Sequence, residues 1–248
     1  MREGRKLLKK VAILGYTAHR DKAPFNDNEF EIWGLNDLYK HNLPRFTRWF
    51  QLHTKKIVDD TNREDRTKWE ELVKDYAQMQ CPVYTTEAID IPNNIVFPLE
   101  EIQAFIKERF PYRDFNGFFT NSISYMIALA IHEGFQEIHV YGVDMAVGSS
   151  EYGHQRPSCE FWLGVAAGLG ITIHIPQESD LLTSMFMYGY EEEKRTVLEA
   201  KWNQVYGDIE NKKQQAIAEE LRLRDWKNQL IGAQEGIKEL KDRWMIKG

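Results

Sequence analysis

The chain has 248 residues, of which 42% are hydrophobic and 28% charged, and its formal net charge is −6. These values are ordinary for a globular protein, and the length allows one large domain or one medium domain with an appendage. The acidic balance argues against general nucleic-acid binding, which normally goes with a basic excess, but it leaves room for a local basic pocket for one phosphate.

The cysteines and the N-terminal region favour a cytoplasmic protein. Cys81 and Cys159 are too few for a disulfide framework, which favours a reducing compartment. The start, MREGRKLLKK, is basic, but the apolar run at 11–14 is too short for the core of a signal peptide. No window approaches the ~18 apolar residues of a membrane span, so we expect no membrane partner.

Short apolar runs open the chain. KVAIL predicts a buried strand that ends at Gly15, EFEIWGLND predicts a second, and TRWFQLH predicts a third that ends at His53. REDRTKWEELVKDYAQM has helical spacing, and two short strand patterns follow in CPVYTT and NIVF. PLEEIQAFIKERF predicts a helix with Pro98 at its start.

The same alternation continues to about residue 176. A helix is predicted from Thr120 onward, then a strand in EIHVYGVD, a helix in CEFWLGVAAGLG and a last strand in ITIHIP. This order predicts an α/β, Rossmann-like fold with a largely parallel sheet and helices on both faces. Ligands of such sheets bind at the carboxyl ends of the strands, so polar residues there should gather along one edge.

Glu, Lys, Gln and Arg dominate after about residue 188, so we divide the chain into a nucleotide-binding domain, 1–187, and a helical arm, 188–248. Apolar residues recur there with 3-4 spacing, as in a coiled coil: Leu198, Trp202, Val205, Ile209, Leu223, Trp226, Leu230, Ala233, Ile237, Leu240 and Trp244. The arm either packs on its own domain or joins copies into a homo-oligomer. It is one helix, roughly 90 Å long, or a hairpin broken at Gly207 or Gly232.

Polar residues after the first two predicted strands are candidate nucleotide ligands. Gly15, Tyr16 and Thr17 form a loop whose backbone a phosphate could approach, although the spacing fits neither a P-loop nor a dinucleotide fingerprint. The alternative is an ordinary turn. Asn36 and Asp37 could bind a base or ribose edge, or could form an Asx-turn.

Further candidates flank the central helix. Thr120, Asn121 and Ser122 would put hydroxyls and free N–H groups at its amino end, where anions bind, or would only cap it. Asp144 follows a strand and could bind a sugar hydroxyl, hold a metal or cap backbone N–H groups. We find one clear acidic residue there and no Asp-x-Asp pair, so we predict no metal.

The loop EYGHQRP supplies the last candidates. His154 could be a general base, or a structural or solvated histidine, and Arg156 could neutralise a phosphate. There is no zinc spacing and no Gly-x-Ser-x-Gly elbow in the chain.

The order of these pieces, clearest over 120–182, resembles bacterial CMP-sialic-acid-dependent sialyltransferases of the GT-A-variant fold. It is also similar to 6-hydroxymethylpterin diphosphokinase-like proteins and to proteins encoded by bacteriophages. The resemblance implies a nucleotide loop at Gly15 and Thr17, a cytidine contact at Asn36 and a nucleotide contact at Asn121 and Ser122. It also implies Asp144 at the strand end and His154 as the base that deprotonates an acceptor hydroxyl.

Departures from that family leave alternatives open. Its leaving-group tyrosine is replaced by Ala146, for which Tyr152 could substitute, and its arginine before the Thr-Ser pair is missing. We expect metal-independent transfer of a sugar-type group from a nucleotide donor, with no separate cofactor. The alternatives are a phage protein that sequesters a signal nucleotide in the host cytoplasm without chemistry, a diphosphokinase, and a purely structural protein.

Overall fold

The computed structural model describes residues 9–60, 67–110, 117–145, 150–184, 187, 190 and 192–245, with the backbone alone at 150–152, 192–198, 200 and 201. The chain divides into two compact units, Met1–Thr183 and Ser184–Gly248. The first unit holds a sheet with its helices, and the second holds one long helix.

The sheet of the first unit has seven strands: β1 (Lys10–Leu14), β2 (Phe30–Leu35), β3 (Arg48–Gln51), β4 (Val83–Thr85), β5 (Asn94–Val96), β6 (Glu137–Tyr141) and β7 (Thr172–His174). Their order is β5-β4-β3-β2-β1-β6-β7, and all neighbouring strands are parallel. The register pairs Ala12 of β1 with Ile32 of β2 and His139 of β6. The predicted α/β fold with a parallel sheet is therefore confirmed.

The central strand explains why continuous apolar runs marked the sheet so well. Val11, Ala12, Ile13 and Leu14 of β1 are all fully buried. A strand in the middle of a parallel sheet is covered on both faces, so both sets of alternating side chains must be apolar. The run at 11–14 accordingly needed no amphipathic pattern to be recognised as a strand.

Helices of the first unit are α1 (Lys55–Asp60), α2 (Trp69–Tyr76), α3 (Leu99–Lys107), α4 (Ser122–His132) and α5 (Ser150–Gly168), with short 3₁₀ helices at Ala18–Lys22 and Leu38–His41. Helix α4 packs against both α3 and α5. The general rule that parallel crossovers are right-handed, applied to this strand order, assigns these three helices to one face of the sheet and α1, α2 and the 3₁₀ helices to the other. Helix α4 is the most deeply buried, with Met126, Ile127 and Ala130 fully enclosed.

The loop predicted around His154 is wrong, because α5 already begins at Ser150. Gly153 and Pro157 made this stretch resemble a loop, and Pro157 lies inside the helix. A proline removes one helical N–H donor and disturbs the preceding turn. Side chains outside α5 donate to its nearby carbonyl groups: Thr120 to that of His154 and Asn121 to that of Gln155, each at 2.9 Å.

The second unit is the continuous helix α6 (Glu192–Met245), so the hairpin alternative is wrong. Gly207 and Gly232 lie inside α6 because a helical glycine costs only ~1 kcal/mol relative to alanine. Trp226, Leu230 and Ile237 of the 3-4 pattern are each more than half exposed. The side chain of Leu198 lies outside the described residues. Among the described residues, no helix combines the length and apolar character needed to cross a membrane.

Candidate functional site

A cleft with a volume of about 550 Å³ opens at the carboxyl ends of β1, β2, β3 and β6. The strand order reverses at β1, between β2 and β6, which is where open α/β sheets bind ligands. The cleft is lined by Gly15, Tyr16, Thr17, Leu35, Asn36, Asp37, Gln51, His53, Ile57, Val58, Thr67, Leu72, Thr120, Asn121, Ser122, Ile123, Gly142, Val143, Asp144, Met145 and Gln155. Nine of the predicted site residues therefore line one cleft, as expected for polar residues that follow strands or begin helices.

The loop after β1 and the end of β6 touch through their backbones at the base of the cleft. The N–H of Gly15 donates to the carbonyl of Tyr141 at 2.7 Å, and that of Thr17 donates to Gly142 at 2.9 Å. A Cβ added to Gly15 would lie 2.3 Å from the Gly142 oxygen, and Gly142 itself has a φ of +72°. Glycine is therefore needed at position 15 for the contact between two loops, besides any approach of a ligand.

Tyr16 and Asp37 form a hydrogen-bonded pair across the cleft. The Tyr16 hydroxyl donates to one carboxylate oxygen of Asp37, and the Thr67 hydroxyl donates to the other at 3.0 Å. Burial alone would raise the pKa of Asp37, but these two hydrogen bonds, a backbone hydrogen bond and the charge of Lys40 together hold the pKa below its ordinary value. Burial and the bond to Asp37 raise the pKa of Tyr16. The cleft therefore holds an ionised carboxylate beside a neutral phenol.

Asn36 keeps hydrogen-bonding capacity inside the cleft. Its backbone carbonyl accepts bonds from the Trp49 indole at 2.8 Å and the Tyr76 hydroxyl at 3.0 Å, which hold the residue in a left-handed conformation with φ +48°. The Asn36 amide oxygen and the Thr17 hydroxyl are buried atoms without a hydrogen-bond partner among the described residues. Buried polar atoms are normally paired, so both atoms are candidates for ligand contacts.

The amino end of α4 enters the cleft through Ser122 and Ile123. By helix geometry, the N–H groups of these first two residues have no partner within the helix. Ser122 is 9% exposed and lines the same wall. Orphan N–H groups and the helix dipole make this end of α4 the part of the cleft that favours an anion.

The side chains of Asn121 and Thr120 make hydrogen bonds within the protein. The Asn121 side-chain oxygen caps α4 by accepting from the Ser124 N–H at 3.0 Å, while its amide donates to α5, as does the Thr120 hydroxyl. Cys159 adds a contact to the same Asn121 oxygen at 3.2 Å, and burial raises the pKa of that thiol to about 11. The capping interpretation therefore accounts for Asn121, although both residues still line the cleft.

Asp144 follows β6 and contacts a histidine, His19, that was not among the predicted site residues. One of its carboxylate oxygens is 3.2 Å from Nε2 of His19, whose side chain is only 7% exposed. The other ring nitrogen of His19 accepts the N–H of Gly142 at 2.9 Å. Asp144 is thus tied to the first loop through a buried imidazole.

His154 and Arg156, two of the three candidates from the predicted loop, are not among the described residues that line the cleft. His154 is exposed on the second turn of α5, next to Gln155, which does line it. Arg156 donates to the carbonyls of Asp180 and Thr183 and pairs with Glu160, so its guanidinium ties α5 to the segment after β7 instead of meeting a phosphate. Tyr152 lies in α5 with its side chain outside the described residues, and Ala146 falls outside them altogether.

Several residues that line the cleft were missed as site residues. Gln51 and His53 end β3 and share a 3.3 Å contact, and Thr67 holds Asp37 from the segment before α2. The strand-end rule that selected Asn36 would also have selected Gln51 and His53. The charged residues in the described lining are Asp37 and Asp144, and this lining contains no lysine or arginine. Within the described ranges, no group of three or more His, Cys, Asp or Glu side chains could hold a metal.

Comparison with solved structures finds folds similar to this one among sialyltransferases of Campylobacter jejuni. CstII in complex with the substrate analogue cytidine-5′-monophosphate shares 15% identity over 72% of this chain and 88% of that chain, with a TM-score of 0.47. An α-2,3-sialyltransferase in its apo form shares 15% identity over 71% of this chain and 78% of that chain, with a TM-score of 0.45. The monofunctional α-2,3-sialyltransferase Cst-I shares 12% identity over 83% of this chain and 96% of that chain, with a TM-score of 0.44. Likenesses of this strength assign neither residues nor a substrate to this chain.

No protein-family model matches the sequence, and no curated protein matches it either.

Proposed function

We propose that the chain is a glycosyltransferase-like protein that binds a nucleotide-activated sugar and transfers the sugar to a hydroxyl acceptor. The observation that carries the proposal is a single cleft lined both by the amino end of α4 and by the carboxylates of Asp37 and Asp144. A helix amino end favours a phosphate, and carboxylates accept hydrogen bonds from ribose or sugar hydroxyls. A nucleotide joined to a sugar carries both kinds of group.

The charges in the cleft lining restrict the number of phosphates that the nucleotide donor could carry. Its described lining has no lysine or arginine to balance several phosphate charges beside Asp37 and Asp144. In the proposal, one phosphate lies at the N–H groups of Ser122 and Ile123, and the base or ribose lies at Asn36 and Asp37. Asp144 then accepts a hydrogen bond from a hydroxyl of the ribose or the sugar.

His154 is our proposed general base. Support comes from its exposure and from its position in the sequence beside Gln155, which lines the cleft, and we place the acceptor on the α5 side of the cleft. In the transfer step, the acceptor oxygen forms a bond to the sugar carbon while the bond from that carbon to the phosphate oxygen breaks. His154 takes the acceptor proton, and the nucleotide leaves with its phosphate.

A nucleotide screen with a matched histidine pair tests this proposal. We would measure binding of CMP, UDP, ATP, CMP-sialic acid and UDP-sugars calorimetrically, and follow sugar loss by mass spectrometry. His154→Ala should lower turnover at least about 100-fold and leave nucleotide binding nearly unchanged. His174→Ala, an exposed histidine outside the cleft, should leave both unchanged. Equal turnover in the His154 variant rejects its role, and absence of binding by every compound rejects the function.

A second candidate is nucleotide binding without chemistry, as in a phage protein that sequesters a signal nucleotide. It is favoured by the position of His154 and Arg156 outside the cleft lining. This candidate predicts tight binding of a nucleotide that is recovered intact after prolonged incubation. Any steady release of product would reject it. The diphosphokinase alternative finds no support in a described lining whose charged groups are two carboxylates.

We also propose that α6 joins copies of the chain. Support comes from the 3-4 spacing along α6 and from the exposure of Trp226, Leu230, Ile237 and Leu240, each above half. Light scattering of the full chain should give a mass at least twice that of one copy. Leu230→Glu should yield monomers, because it puts a charge in the apolar stripe, whereas Asn228→Glu on the polar face should not. A monomeric wild type contradicts this proposal.

A further inference from the structure

His19 connects two segments at the cleft that are far apart in sequence, the one after β1 and the one after β6. It lies on the 3₁₀ helix Ala18–Lys22 that follows β1, and its side chain is buried. Nδ1 accepts the backbone N–H of Gly142 at 2.9 Å, and Nε2 lies 3.2 Å from a carboxylate oxygen of Asp144. Both ring nitrogens are therefore engaged with the carboxyl end of β6.

These two contacts determine which nitrogen of the ring carries the proton. A backbone N–H can only donate, so Nδ1 of His19 must present its lone pair to Gly142. In the neutral imidazole the proton is then on Nε2, where it donates to the Asp144 carboxylate. With both nitrogens used in this way, His19 has no atom left to exchange protons with a ligand.

We propose that His19 is a positioning residue, which holds the Asp144 carboxylate in one orientation toward the cleft and joins the first loop to β6. The Asp144 side chain is about one-third exposed, and its second oxygen has no partner among the described residues. A carboxylate at a cleft edge otherwise samples several rotamers. The bond from a buried ring restricts it to one, which lowers the entropy lost when a ligand hydroxyl binds.

Two substitutions of His19 each remove one of its two hydrogen bonds and keep the other. An asparagine side-chain oxygen can occupy the place of Nδ1, so His19→Asn keeps an acceptor for Gly142 and loses the donor to Asp144. A glutamine amide can reach the place of Nε2, so His19→Gln keeps the donor to Asp144 and loses the acceptor for Gly142. A role limited to packing would treat the two variants alike.

The first test needs no ligand and uses NMR of the full chain. At pH 7.5 we expect the Nε2–H tautomer of His19, slow exchange of the Gly142 amide proton and a single χ1 rotamer of Asp144. His19→Asn should keep the slow exchange and show averaged Asp144 rotamers. His19→Gln should exchange the Gly142 amide at least about tenfold faster and keep the Asp144 rotamer. The Nδ1–H tautomer, or an unchanged Asp144 rotamer in His19→Asn, would overturn the proposal.

The second test measures CMP affinity by calorimetry, and it rests on the proposed function. His19→Asn should bind CMP about two- to tenfold more weakly, which is the loss expected when one more side chain must be ordered on binding. His19→Gln should recover most of that loss. Equal CMP affinity in all three proteins would reject a role of His19 in ligand binding. Failure of the wild type to bind any nucleotide would reject the proposed function and leave the NMR result on His19 standing.

Discussion

The contact between Gly15 and Gly142 leads to a quantitative prediction for Gly15→Ala. The added methyl group would lie 2.3 Å from the Gly142 carbonyl oxygen and 2.8 Å from a Val143 methyl group. A backbone oxygen cannot rotate away as a flexible side chain can, so the two loops must separate. Overpacking costs typically ~1–3 kcal/mol, and the two hydrogen bonds between the loops are worth ~1 kcal/mol each. We expect unfolding of the first unit to become easier by about 3–5 kcal/mol.

Urea unfolding followed by near-ultraviolet circular dichroism measures this loss, because Trp33, Trp49 and Trp162 are fully buried in the first unit. Gly164→Ala is the matched control. Gly164 lies in α5 with no atom within 4 Å of an added Cβ, so alanine there should stabilise by ~0.5–1 kcal/mol. A Gly15→Ala protein within about 0.5 kcal/mol of wild type, which is the range of ordinary surface substitutions, would refute this reasoning and the closeness of the two loops.

Two further predictions concern the walls of the cleft. Asn121→Ala should destabilise the fold by ~2 kcal/mol, since it removes both a helix cap and a donor to α5. Asn121→Asp keeps the cap and should lose about half as much stability. Equal urea midpoints for the two variants would contradict separate contributions from the cap and the donor. Tyr16→Phe removes a hydrogen bond that lowers the pKa of Asp37. A lowered pKa adds stability above the ordinary aspartate value of ~3.9 and loses it as the pH falls through the folded-state pKa. The stability difference between wild type and Tyr16→Phe should therefore be constant from pH 5 to 8 and shrink below about pH 4, and a difference independent of pH would argue against an ionised Asp37.

Sequence patterns were most informative where burial leaves no choice of residue. The apolar run at 11–14 predicted a buried strand, and β1 is a central strand in which every one of these side chains is enclosed. The helical pattern of the arm persisted through Gly207 and Gly232 because neither glycine costs enough to end α6. The same reasoning failed at Gly153 and Pro157, whose local preference for a loop is overridden in α5, where Thr120 and Asn121 donate to carbonyls of the helix.

The strand-end rule selected Gly15, Asn36, Asp37 and Asp144 for the cleft because parallel strands all deliver their carboxyl ends to one edge. What each of them does was decided by partners that no local pattern indicates. Asp144 meets His19 across 125 positions of sequence, and Asp37 meets Thr67 across 30. The sequence by itself indicated nine of the residues that line the cleft, since polar residues that follow parallel strands or begin the next helices gather at one edge of the sheet. Only the tertiary structure decided which side chains face each other there, because hydrogen bonds join atoms that are close in space, whatever their separation along the chain.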